Sequence, residues 1–274
     1  MVSTIVRNHV TVTGASDGPV MLFAHGFGCD QNMWRRVLPA FAEEYRLVLF
    51  DHVGAGQSDP AAYERGKYAS LDGYAADLLE ICEELDLRDV ILVAHSVSAM
   101  MAVVAAVEQP ARFSRLVLVA PSPRYIDDEA DDYTGGFSHE DIDGLLESLD
   151  SNYFGWANAM APMVMGNPDS PDLADELTGS FCQTDPDIAH DFARVTFLSD
   201  SRDLLPRVTT PALVLQCSED MLAPTEVGTY VHQQLAGSVL VQLEATGHCP
   251  HVSAPQETAE AISAYLSAAL HPTR

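Results

Sequence analysis

The chain has 274 residues, 47% of them apolar and 20% charged, and its 40 acidic against 14 basic side chains give a net charge of −26. That balance repels phosphate backbones and anionic lipid, which argues against nucleic acid or a membrane surface as partner. No apolar run approaches the roughly 20 residues that span a bilayer, and the length suits one large domain or one domain with an insertion.

The acidity reads first as solubility; a basic partner protein is the sharper alternative. In chain order, MVSTIVRNHVTVTG breaks its apolar pattern with Arg7 and His9. It lacks a basic segment leading into a long apolar one, so no secretory signal is expected and the location expected is cytoplasmic. The five cysteines (Cys29, Cys82, Cys182, Cys217, Cys249) are odd in number and widely spaced. They read as reduced thiols rather than a disulfide framework.

Seven runs read as strands: VTVT, PVMLFAHG, YRLVLFDH, DVILVAHS, RLVLVAPS, PALVLQC and SVLVQLE. They are short and rich in Val and Leu, as strands buried on both faces are. Between them, SLDGYAADLLEICEELDL sets apolar residues at Leu71, Tyr74, Ala75, Leu78, Leu79, Cys82 and Leu85, a helical period. The last helix starts near SAPQETAEAISAYL, where Ser253 and Gln256 have capping-box spacing and Pro255 suits a first turn. Such alternation predicts a doubly wound, mostly parallel α/β sheet. From about Pro121 to Asp200 the rhythm stops. DIDGLLESLDSNYFGWANAMAPMVMG, SPDLADELTGSF and DPDIAHDFARVTFL read as three or four helices. The expected organisation is a core of residues 1–121 and 201–274, with 122–200 inserted as a helical lid.

In open α/β sheets functional groups gather beyond the carboxyl ends of strands. Ser96 sits where VILVAH turns from strand to helix, and small residues, Ala94 and Ser98, stand two before and two after it. The strict elbow pattern is G-x-S-x-G, so the sterics are kept while the pattern is not. The competing reading makes Ser96 a simple helix N-cap. A serine nucleophile needs a base, and His248 follows the strand SVLVQLE. The base needs an acid to fix its tautomer, and LQCSEDMLAP offers Glu219 and Asp220, which spacing does not separate. The chain order serine, acid, histidine is the one that a serine elbow on such a sheet uses. The glycine-rich FAHGFGCD follows another strand, so the N–H groups of Phe27 and Val97 are the expected oxyanion donors, with His25 bracing the loop. His95 reads as packing at the elbow. The glycine-rich DHVGAGQSDP lacks the lysine and spacing of a phosphate loop and reads as a turn supporting the site. Cys249 and His251 beside His248 raise a zinc site, but no further ligand is evident, so no metal is expected and His251 reads as structural. No cofactor is expected. Of the aromatic and Met residues in the insertion, most read as packing and a minority as pocket wall; the pocket candidates are Phe27, Phe137, Trp156, Met160, Phe192 and Phe197.

The blocks HGFGCDQNMW, FDHVGAGQSD, AHSVSA, LVLVAPSPRYID, NYFGWA, FCQTDP, LQCSEDMLAP and GHCPHVSAP resemble α/β-hydrolases of the RsbQ type, which are similar to the strigolactone and karrikin receptors of plants. The resemblance covers nearly the whole chain. It implies an α/β-hydrolase fold with a four-helix, V-shaped lid over a mostly hydrophobic pocket. It also implies a Ser96, Asp220, His248 triad, with Asp220 chosen because the family's acid stands four residues before a proline, here Pro224. The implied activity is hydrolysis of small hydrophobic esters or lactones. The implied alternative is stress signalling or ligand reception, in which the same site acts with a phosphatase-type partner. Dehalogenases and epoxide hydrolases on this scaffold carry Asp where this chain has Ser96.

Overall fold

In a computed structural model describing residues 3–270, a short helix α1 (Thr4–Arg7) leads into strands β1 (Thr11–Gly14), β2 (Val20–Ala24) and β3 (Arg46–Leu49). Helix α2 (Leu71–Glu84), β4 (Val90–His95), helix α3 (Val97–Glu108) and β5 (Phe113–Val119) follow. Four helices come next: α4 (His139–Ser151), α5 (Tyr153–Met165), α6 (Pro171–Phe181) and α7 (Pro186–Leu198). The chain returns through β6 (Ala212–Glu219), α8 (Thr225–Gln234), β7 (Val239–Thr246), α9 (Pro250–Ser253) and α10 (Pro255–Leu270).

The seven strands form one sheet in the order β1-β3-β2-β4-β5-β6-β7, parallel throughout except for β1 against β3. The alternation of side chains along these strands divides the core in two. Leu22, Ala24, Val48, Leu92, Ala94, Leu116 and Val214 face α2 and α3. Met21, Phe23, Leu47, Val93, Val117 and Leu213 face Trp34 and the Ile262 side of α10. Every residue of β4 is buried, in keeping with a sequence that is apolar up to its last residue, His95. The expectation of strands buried on both faces fails at the edges. All four residues of β1 are exposed, and six of the eight in β7 are exposed or half-exposed, because an edge strand has no neighbour on one side.

The insertion's helices owe their limits to local chemistry. Ser138 and Asp141 form a reciprocal capping box at the start of α4. Asn152 ends α4 and caps α5, accepting from the Gly155 N–H at 3.0 Å. Gly166 stops α5 in the left-handed region, and Pro171 and Pro186 open α6 and α7. Their apolar faces form a third cluster with Cys29, Tyr125, Leu222 and Cys249, residues from loops at the carboxyl ends of the strands. The capping box expected at Ser253 does not form. Ser253 is the last residue of α9 and its hydroxyl donates to the Cys249 carbonyl at 3.3 Å. Glu257 instead reaches back to the N–H groups of Glu244 and Ala245 in β7. Among the described residues, no helix is long and apolar enough to cross a membrane.

Candidate functional site

The chain steps from β2 outward to β3, then crosses to β4 on the other side of β2. The loops leaving β2 and β4 therefore diverge, opening a crevice at the sheet's carboxyl edge. Ser96 stands on that edge with φ 57° and ψ −126°, a backbone conformation that costs a non-glycine residue about 1–3 kcal/mol. The Ser96 N–H donates to the Val119 carbonyl at 2.9 Å, which holds the turn to β5. Its hydroxyl makes no cap hydrogen bond to α3, which disposes of the N-cap reading.

The hydroxyl meets a base instead. Ser96 Oγ lies 2.7 Å from His248 Nε2, and His248 Nδ1 lies 2.7 Å from Asp220 Oδ2. The other carboxylate oxygen of Asp220 accepts the N–H groups of Leu222 and Ala223 at 2.9 and 3.2 Å. Glu219, the alternative acid, ends β6 with an exposed side chain that has no hydrogen-bond partner among the described residues, while its carbonyl accepts the Gly247 N–H. The side chains of His248 and Asp220 are 3% and 0% exposed, so their contact is made away from bulk water.

The β2 loop approaches the elbow closely. A Cβ on Gly26 would lie 2.6 Å from His95 Nδ1 and 3.2 Å from Ser96 Cβ, so only glycine lets the loop rest there. Beyond it, the Phe27 N–H has no acceptor among the described residues. Val97 opens α3, where an N–H has no intrahelical partner. His25 braces this loop as expected: Nδ1 donates to the Gly26 carbonyl at 2.9 Å and Nε2 accepts the His52 N–H at 3.1 Å. DHVGAGQSDP supports it from below, with Asp51 accepting the N–H groups of Gln31 and Gln57, each at 2.9 Å. His95 donates from Nε2 to the His248 carbonyl at 2.8 Å. His251 lies between the rings of Trp34 and His95, each 4.4 Å away.

Burial lowers the pKa of His25, pushes those of His52 and His95 well down, and takes His251 to about 3. All four are thus harder to protonate in the fold than in the unfolded chain. In the unfolded chain each titrates near its ordinary value of about 6.5. Below that pH the unfolded state binds protons that the folded state refuses, so stability falls as pH drops. The limit is about 1.4 kcal/mol per pH unit for each histidine. Thermal denaturation from pH 7.5 to 5 should show Tm falling steeply below pH 6.5. A flat Tm would mean that these imidazoles are charged inside the fold.

Above Ser96 lies a small cavity, with about 30 Å³ open to the centre of a water molecule. Phe27, Trp156, Met160 and Phe197 line it as expected. Phe137 and Phe192 do not. Phe192 stacks on Tyr74 at 4.6 Å and packs against His52, deeper in the core. Phe137 pairs its backbone with Ile126 and sits half-buried against the insertion's cluster. The wall includes residues the sequence reading passed over: Cys29, Tyr125, Phe181 and Leu222. Three of these lie in loops after β2, β5 and β6, where the carboxyl-end rule could have found them. Burial pushes the Tyr125 phenol up to about 12, against the influence of the Ser96 hydroxyl. Thr196 spends its hydroxyl on the Phe192 carbonyl at 2.8 Å, leaving a predominantly apolar wall.

The loop bearing His248 is bonded to α5. The His248 N–H donates to the Val164 carbonyl at 2.8 Å, and Thr246 Oγ1 donates to the Gly166 carbonyl at 3.1 Å. Asn167 Nδ2 reaches the Thr246 carbonyl at 3.1 Å. Gly247, at φ +80°, makes this possible, since a Cβ there would fall 1.8 Å from the Met165 carbonyl oxygen. Gly247→Ala should lower stability by about 2–4 kcal/mol, from strain at φ > 0 plus the clash, and should cut turnover by displacing His248. Urea denaturation and esterase assays on one preparation check both. A fully active variant of unchanged stability would refute the contact.

Residues 21–261 match the model of the alpha/beta hydrolase family. The chain is 41% identical to a karrikin insensitive 2 receptor of Petunia hybrida, over 94% of this chain and 93% of that one. It is 37% identical to a strigolactone esterase of Arabidopsis thaliana, over 92% and 93% of the two chains. The solved structure of a hydrolase from Oleispira antarctica superposes with a TM-score of 0.93 at 42% identity, covering 96% of both chains. A family model spanning most of the chain and a sheet with its crevice at the β2/β4 divergence agree: this chain belongs to the alpha/beta hydrolase family.

Proposed function

We propose that the protein is a serine hydrolase of small, hydrophobic carboxylic esters or lactones. The observation that carries the reading is the unbroken chain from Ser96 Oγ to His248 to Asp220, with 2.7 Å at each link. Ser96 attacks the substrate carbonyl while His248 Nε2 takes its proton. Asp220 holds the Nδ1–H tautomer and stabilises the imidazolium. The carbonyl π electrons pass to oxygen, and the Phe27 and Val97 N–H groups receive the oxyanion. Such a donor is typically worth about 10²–10³ in kcat. His248 returns the proton to the leaving alkoxide. It then activates water to release the acyl group from Ser96. Residues 122–200 act as a lid, and its aromatic lining selects uncharged, compact substrates. The relatives named as an esterase and a ligand receptor support this substrate class.

A fluorophosphonate probe followed by peptide mass analysis tests the assignment, alongside hydrolysis of p-nitrophenyl acetate and a γ-lactone. The expected result is one adduct, on Ser96, with loss of turnover in proportion to labelling. No adduct and no turnover above buffer would overturn it.

A second reading is ligand reception coupled to a partner protein. It is favoured by the bond from the His248 N–H to Val164, which joins the site to a lid helix, and by similarity to the Petunia receptor. Here an occupant of the cavity reshapes the lid surface, and a phosphatase-type protein reads it. Pull-down of a candidate phosphatase with and without lactone discriminates: no retention in either state, together with rapid multiple turnover, leaves the enzyme reading alone.

A further inference from the structure

We propose that Ser98 is a positioning residue for the oxyanion hole, tying the loop that carries the Phe27 donor to the helix that carries the Val97 donor. This rests on the serine-hydrolase reading above.

The argument starts from one peptide unit. The Gly26 carbonyl and the Phe27 N–H belong to the same planar trans peptide and point in opposite directions. Whatever holds that carbonyl therefore aims that N–H. Two donors hold it: His25 Nδ1, 2.9 Å from the Gly26 oxygen, and at longer range the Cys29 N–H, 3.3 Å away. The His25 ring is held in turn at Nε2 by the His52 N–H at 3.1 Å. The remaining freedom is that of the His25 backbone, and here Ser98 enters. Its hydroxyl donates to the His25 carbonyl and accepts from His52 Nε2 at 2.8 Å; His52 Nε2 also reaches the His25 carbonyl at 3.1 Å.

Ser98, His25 and His52 thus form a closed ring of hydrogen bonds joining α3, the end of β2 and the loop after β3. All three are buried, Ser98 and His25 at 0% exposure and His52 at 1%. A single proton on Nε2 serves both contacts, Nδ1 has no hydrogen-bond partner among the described residues, and burial disfavours a second proton there. Val97 immediately precedes Ser98, so one residue's hydroxyl governs the far donor while its backbone continues the near one.

The usual elbow pattern has glycine at this position. Glycine there packs the turn but cannot make the ring. In this chain its absence would leave the His25 carbonyl with one longer partner.

The test compares wild type with Ser98→Ala, Ser98→Gly and Ser98→Thr, using steady-state kinetics on p-nitrophenyl acetate. Inhibition by a trifluoromethyl ketone, which binds serine hydrolases as a tetrahedral oxyanion, is measured on the same proteins. Expected for Ala and Gly are a fall in kcat of about 10- to 100-fold and a KM within about twofold, since the donor is misaimed rather than removed. Affinity for the ketone should weaken by the same factor as kcat/KM, and Ser98→Thr, which keeps the hydroxyl, should recover most of it. If Ala does not fold, Gly carries the test, being the smaller residue the turn ordinarily holds. Unchanged kcat and ketone affinity in a folded Ala or Gly variant, with active wild type, would overturn the tie alone. Wild type that neither turns over nor takes the fluorophosphonate would overturn the tie together with the hydrolase reading.

Discussion

Ser96→Ala is expected to lower kcat for p-nitrophenyl esters by about 10⁴–10⁶-fold while leaving the fold and ligand binding in place. The size follows from what the hydroxyl does. In the proposed reaction its oxygen forms the covalent bond to the acyl group, so no remaining side chain would complete the reaction along the same path. The loss is not total. The Phe27 and Val97 N–H groups and the apolar wall persist, and such remnants sustain roughly 10³–10⁴-fold catalysis over water. The substitution is mild structurally. Alanine inherits the same backbone at φ 57°, and the hydroxyl lost was engaged with His248 rather than with the helix. Purified variant and wild type should therefore share a Tm within a few degrees and show equal thermal shifts with a non-hydrolysable lactam. Equal turnover in the two proteins would remove Ser96 from the chemistry.

Asp220→Asn is expected to reduce kcat by about 10⁴-fold, for a reason the geometry makes specific. Asp220 Oδ1 accepts two backbone N–H groups, from Leu222 and Ala223. An asparagine in the same place must turn its oxygen toward those donors, because its NH₂ would face them donor to donor. The NH₂ then points at His248 Nδ1, 2.7 Å from the oxygen it replaces. Nδ1 becomes an acceptor, the ring proton moves to Nε2, and the base no longer has a lone pair for the Ser96 proton. The loss should appear in kcat with little change in KM. Activity within tenfold of wild type would show that the carboxylate does not set the tautomer.

Much of the fold is legible along the chain because this sheet buries most of its strands on both faces. Runs such as VILVA carry no polar interruption, and each is followed by a helical period or a turn. The edges are less legible: β1 reads like the others, yet it is exposed and antiparallel. The seam at Ser96 is visible because two periodicities meet there. Choosing between Glu219 and Asp220 was beyond spacing, since adjacent residues at the end of β6 differ only in where the backbone turns them. The pocket wall was the least legible part. Phe192 and Phe197 lie on the same helix, and which of them faces the cavity depends on that helix's rotation against Tyr74 and His52. The bond between Ser253 and Cys249 was hidden for a similar reason, because a four-residue helix interrupts what looked like one start signal.

The hydrogen bond from the His248 amide to Val164 gives the molecule a mechanical interlock. The proton-carrying ring is suspended partly from the cover and not from the sheet alone. Raising the C-terminal turn of α5 would break that bond together with the bonds from Thr246 Oγ1 to the Gly166 carbonyl and from Asn167 Nδ2 to the Thr246 carbonyl, which hold the same loop. Under the hydrolase reading proposed above, the placement of the base is thereby geared to the seating of α5.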